Sequence, residues 1–90
     1  MLVRLEIRGQ VIGLRREQAD YARALAEAQA GRSSRLRDLA LVLEWALASS
    51  RVVSLRRSEA RELLRLALEN PALAEVAEAI DGASGAAAAA

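Results

Sequence analysis

Chemistry in this chain falls to arginine, carboxylate and serine, because the sequence holds no His and no Cys. The commonest acid–base, nucleophilic and metal-ligating groups are therefore missing. Ser33, Ser34, Ser49, Ser50, Ser54, Ser58 and Ser84 read as caps, turns or tail, with no base to activate one. The pairs Glu59/Glu62 and Glu75/Glu78 stand three residues apart and read as solvated helix charges, since no apolar pocket is evident that would raise a carboxyl pKa. Gly9 and Gly13 fit neither a dinucleotide-binding nor a P-loop spacing. The inventory points to a protein that is not an enzyme, with no cofactor, no metal and no small-molecule substrate.

Arginine is the residue type with something left to do. All 13 basic residues are Arg, offset by 12 acids to a formal net charge of +1. Coding bias toward GC-rich codons accounts for much of that choice, and the balance is far from the strongly basic one of a dedicated nucleic-acid binder. Arg also makes bidentate contacts to phosphate and carboxylate. Arg15-Arg16 and Arg56-Arg57 each lie between a predicted strand and a helix, where positive charge opposes the helix dipole unless an acid or a bound anion compensates. Arg4 and Arg8 on the first strand, with Arg32, Arg35 and Arg37 at the start of the second helix, form another set.

The elements that position these side chains follow from periodicity. Val3, Leu5 and Ile7 alternate with Arg4, Glu6 and Arg8, the mark of a half-buried strand. Gly9-Gln10 offers a turn into a second strand, and Gly13 within it hints at a bulge or a close backbone approach. A first helix is expected over Arg15–Ala30, burying Leu14, Gln18, Tyr21, Ala22, Leu25 and Ala28 and ending on Gly31 as a left-handed cap. Ser33 or Ser34 caps a second helix near Arg35–Ala48. That helix carries one apolar stripe of Leu36, Leu39, Ala40, Leu43 and Leu47 and another of Leu41, Val42, Trp45 and Ala48. A helix apolar nearly all round must be covered nearly all round, and so small a domain has little to cover both stripes with. A third strand is expected over Arg51–Leu55. A third helix then runs to Glu69, burying Ala60, Leu63, Leu64, Ala67 and Leu68. Asn70-Pro71 opens a fourth helix that stops at Asp81-Gly82. The Ala-rich stretch 82–90 is too small in its side chains to pack and reads as disordered. It is also similar to the alanine-ended degrons read by bacterial unfoldase–protease machines.

Two segments repeat. Val11–Ala28 aligns without a gap onto Val52–Glu69, matching at Val11/Val52, Leu14/Leu55, Arg15/Arg56, Arg16/Arg57, Ala19/Ala60, Leu25/Leu66 and Ala26/Ala67. A four-residue shift then brings Ser33–Ala40 onto Asn70–Ala77. A duplicated strand–helix–helix unit spanning residues 11–43 and 52–80 is the simplest reading.

The order strand, helix, Gly31-Arg32-Ser33 turn, apolar helix resembles that of ribbon–helix–helix repressors over about the first half of the chain. In that family two chains pair their strands and outward strand residues read bases in the major groove. The resemblance implies Arg4, Glu6 and Arg8 as readers and the backbone near Ser33-Ser34 as a phosphate site. The segment Gly9–Gly13 departs from the pattern, since the family runs almost directly from strand to helix, and Glu6 would repel phosphate.

The expectation is one α+β domain over residues 1–81: a small antiparallel sheet of three strands (Val3–Arg8, Gln10–Leu14, Arg51–Leu55) with four helices. No stretch approaches the ~20 apolar residues of a membrane span, and the start of the chain reads as a strand and not as a signal peptide, which points to the cytoplasm. The leading functional expectation is an interaction module that homodimerises, or docks on a larger protein, through Leu41, Val42 and Trp45. The second is a dimeric DNA-binding regulator using Arg4, Arg8, Arg15, Arg16, Arg32 and Arg35, with Arg56 and Arg57 as further anion contacts.

Overall fold

A computed structural model of the chain describes residues 2–89, with side chains through Ala83. It begins with a hairpin: β1 (Leu2–Ile7) and β2 (Gln10–Arg15) pair antiparallel, with Ile7 opposite Gln10 and Leu2 opposite Arg15. The turn is Arg8-Gly9, with φ of 51° and 80°. A two-residue loop with positive φ at both positions has the twist that joins two right-twisted strands. Glycine accepts that conformation freely, whereas arginine there costs about 1 kcal/mol. Arg8 thus leaves the strand that the alternation assigned to it. Gly13 sits opposite Arg4 in unbroken register, so there is no bulge; a Cβ there would lie 3.1 Å from the Leu2 side chain, which is the close approach expected.

Strand alternation sorts the sheet into two faces. Val3, Leu5, Ile7, Ile12 and Leu14 are buried on one, while Leu2, Arg4, Val11 and Arg15 are exposed on the other. The buried face receives the helices α1 (Arg16–Ala28), α2 (Ser34–Ala48) and α4 (Ala74–Ala89), and α3 (Arg57–Glu69) packs against all three. Ala19, Ala22 and Ala26 of α1 are fully buried, which lets α1 approach α2 closely. Leu39, Leu43, Leu63, Leu66 and Leu73 fill the centre.

The fold is α+β, with three strands and four helices among the described residues, as the periodicity predicts, but the sheet is mixed. The third strand, β3 (Val53–Ser54), runs parallel to β1 on the side away from β2, with Leu5 opposite Val53. Parallel neighbours need a long crossover, and the α1–α2 pair supplies it. The strand is shorter than Arg51–Leu55, although Leu55 N–H still donates to Glu6 O at 2.9 Å.

Helix ends differ in detail. Gly31 does not cap α1 in a left-handed conformation; Ala30–Arg32 form a single 3₁₀ turn instead. Ser33 caps α2, its Oγ accepting from Arg35 N–H at 3.2 Å. Pro71 opens a 3₁₀ turn, Pro71–Leu73, and Asn70 Nδ2 donates back to Leu66 O. Helix α4 passes through Asp81-Gly82 without stopping, since one Gly within a helix costs only about 1 kcal/mol. Ala83, just beyond, is buried. Within the Ala-rich stretch 82–90, α4 thus runs on to Ala89, while the side chains of residues 84–90 lie outside those described.

Candidate functional site

Helix α2 separates its two apolar stripes cleanly. Leu36, Leu39, Ala40 and Leu43 are buried, and Leu47 packs against them. Val42 also leans on the core and is half-buried. Leu41 and Trp45, one helical turn apart, point the opposite way and are 45% and 62% exposed. Of the three residues in the expected interface, the structure thus brings Leu41 and Trp45 to the surface together and gives Val42 a packing role. Arg37, Leu41 and Glu44 border a shallow groove of about 110 Å³ between α1 and α2, so Arg37 and Glu44 flank the Leu41–Trp45 seam on its α1 side. Neither has an opposite charge within 4 Å among the described residues.

The candidate arginines do not form one surface. Arg4 lies on the open face of the sheet, near Leu2 and Arg51. Arg15 is bound to Glu75 at 3.2 Å, and Arg16 Nη1 donates to Leu47 O at 3.4 Å. Arg32 lies in the turn before α2, Arg35 in the first turn of that helix, and both are exposed. Arg56 stands 3.9 Å from Glu59. Arg8 and Arg57, by contrast, share the rim of one groove of about 350 Å³, and Arg61 joins them. Ile7, Leu55, Ala60, Leu64 and Ile80 line the rest of it. Arg61 was not singled out from the sequence, yet its spacing was a signal: Arg57, Arg61, Leu64 and Leu68 recur at steps of four, three and four along one helix stripe.

The carboxylates correct the sequence in one place. Glu59 is not a solvated charge. It is 2% exposed, and its Oε1 accepts from Arg56 N–H at 2.8 Å while Oε2 has no hydrogen-bond partner among the described residues. Gln18 has the matching job in α1, accepting from Arg15 N–H at 3.2 Å. Both side chains satisfy a backbone donor just ahead of their helix from the N3 position. The burial of Leu68 and Tyr21 is likewise corrected. Leu68 is 72% exposed and Tyr21 is exposed, while Leu66 and Ala26 take the inward positions.

Two arginines make surface networks along their own helices. Arg23 donates to Asp20 and Glu27, and Arg65 to Glu62 and Glu69. The hydrogen bond to Asp20 raises the Arg23 pKa above its usual value, and that to Glu62 does the same for Arg65. Both were charged already, so these pairs brace helices without creating a reactive group. No helix among the described residues is long and apolar enough to cross a membrane.

No family model matches the chain, and no curated protein or solved structure matches it either. Any functional reading rests on the surfaces themselves.

Proposed function

We propose that the protein is a non-catalytic interaction module that pairs with a second copy of itself through the outer face of α2. The observation that carries this reading is the Leu41–Trp45 seam, a large aromatic and a leucine side by side on the face of α2 turned away from its own core. Trp gains more from burial at an interface than most residue types and is enriched at binding hot spots.

Charge complementarity favours a second copy. Arg37 and Glu44 lie seven residues apart on the same flank of the seam. Two α2 helices related by a twofold axis near Leu41 run antiparallel and set like flank against like flank. Arg37 of each then faces the partner's Glu44, giving two symmetric ion pairs beside a Leu–Trp centre. The small core, rich in alanine, gains from such a partner.

Sedimentation velocity tests the reading. The wild-type chain is expected to sediment as a dimer, and Trp45→Glu with Leu41→Glu as a monomer of unchanged helix content by circular dichroism. Arg37→Glu or Glu44→Arg alone should weaken the dimer, and the two together should restore it. A wild-type monomer at about 100 μM, where even a weak specific pair with Kd near 10 μM would form, ends the proposal. Contact with DNA through β1 has less support. Glu6 occupies the middle of its outward row, bound to Ser54 Oγ at 2.7 Å, and β1 already has a strand on either side.

A further inference from the structure

A second surface, on α3, has a different character. Its stripe begins with Arg57 and Arg61 and continues with Leu64 and Leu68. The groove holding Arg8, Arg57 and Arg61 ends at Leu64, and there it meets a second, of about 230 Å³, lined by Leu64, Leu68, Ala77, Glu78 and Asp81. Through their shared Leu64 the two grooves follow one side of α3 as a trough, basic at its start, apolar at Leu64 and Leu68, and edged by Glu78 and Asp81 of α4.

We propose that this trough binds a single-chain amphipathic anion, its head among Arg8, Arg57 and Arg61 and its chain over Leu64 toward Leu68. Three observations support that occupant. None of the three arginines has a carboxylate within 4 Å among the described residues, so a guanidinium cluster stands uncompensated around an apolar floor. Arg8 is held there by a left-handed backbone that arginine adopts at a cost, and such outliers tend to persist where they serve a site. The far end of the trough is rimmed by Glu78 and Asp81. A nucleic-acid backbone or an anionic bilayer laid along α3 would meet those acids, whereas a ligand with one anionic head and a neutral chain would not. From Arg57 to Leu68 is about 16 Å at the helical rise, the reach of a chain of roughly ten to twelve carbons.

Decanoate is the probe, followed through backbone amide shifts in ¹⁵N-labelled protein. Saturable shifts are expected along Arg57–Leu68, with decanol and acetate each binding at least about tenfold more weakly because each lacks one end of the match. Arg57→Gln with Arg61→Gln should lower decanoate affinity by about tenfold or more and leave decanol unchanged. All the altered side chains are exposed, and Leu68→Ser supplies an independent variant that should weaken decanoate without affecting acetate. The proposal is overturned if decanol binds as well as decanoate, if acetate does, or if no saturable shift occurs up to about 1 mM. Binding to phosphatidylglycerol vesicles without binding to free decanoate would also overturn it, in favour of a membrane surface.

Discussion

The chain enters α1 at Arg15 and α3 at Arg56 by the same local route, yet the two junctions finish differently. In both, an arginine with extended backbone precedes the helix, and the side chain three residues on accepts its N–H. At the first junction the acceptor is Gln18. Its remaining polar atom, Nε2, donates to Glu75 Oε2 at 3.3 Å, and the same oxygen takes Arg15 Nη2 at 3.2 Å. Helix α4 thereby closes the first junction. At the second the acceptor is Glu59, and its remaining oxygen meets no donor among the described residues. A buried amide with a partner at each end is satisfied, whereas a buried carboxylate oxygen without one costs desolvation energy. The same backbone solution therefore carries two different energies, and the surroundings decide which.

Removing the acceptors should expose that difference. Glu59→Ala relieves the unpaired oxygen, but it leaves a cavity where a 2% exposed side chain stood and Arg56 N–H without its acceptor. These outweigh the relief, and a loss of about 1–3 kcal/mol is expected in urea denaturation. Glu59→Gln keeps an acceptor and removes the charge, and should fall within about 1 kcal/mol of wild type. If it is as damaging as Glu59→Ala, charge and not acceptance holds the second junction together.

Gln18→Ala should cost about 1 kcal/mol, near the middle of the range for a lost helix cap. A loss larger than that of Glu59→Ala would reverse the ranking of the two junctions. Glu75→Ala should have the smallest effect, about 0.5 kcal/mol and less in high salt, because Arg15 and Glu75 are 61% and 70% exposed. Measured in the Gln18→Ala background its effect should shrink, since the two side chains share a hydrogen bond. Full additivity would mean that α4 does not close the first junction.

How much of this was legible beforehand varies by residue. The hairpin, the Ser33 cap and the four helices could be read because alternation, helical spacing and capping chemistry are short-range. Even the turn was nearly right, displaced by one residue because Gly9 pairs with Arg8 and not with Gln10. The faces were harder. Leu66 and Leu68 are two residues apart on one helix, and both are leucine, yet one is buried and the other is 72% exposed. Tyr21 likewise fits the expected inner face of α1 and is displaced by Ala19 and Ala26, whose small side chains let α2 come close. In the candidate seam, helical position puts Leu41, Val42 and Trp45 in one stripe, yet only Leu41 and Trp45 are exposed. Val42, about a quarter-turn round the helix from Leu41, is half-buried against the core.

The sequence by itself determined the hairpin, the Ser33 cap and the presence of four helices, because alternation, helical spacing and capping are settled within a few residues, whereas the ends of β3 and α4 were not. It determined as well that the chain had more apolar helix surface than one small domain could cover. Only the tertiary structure decided that β3 would run parallel to β1, that Glu59 would be buried, and that Arg8 would meet Arg57 and Arg61 across an apolar trough. Those outcomes depend on which distant segment covers which face, and that is set by packing among residues tens of positions apart.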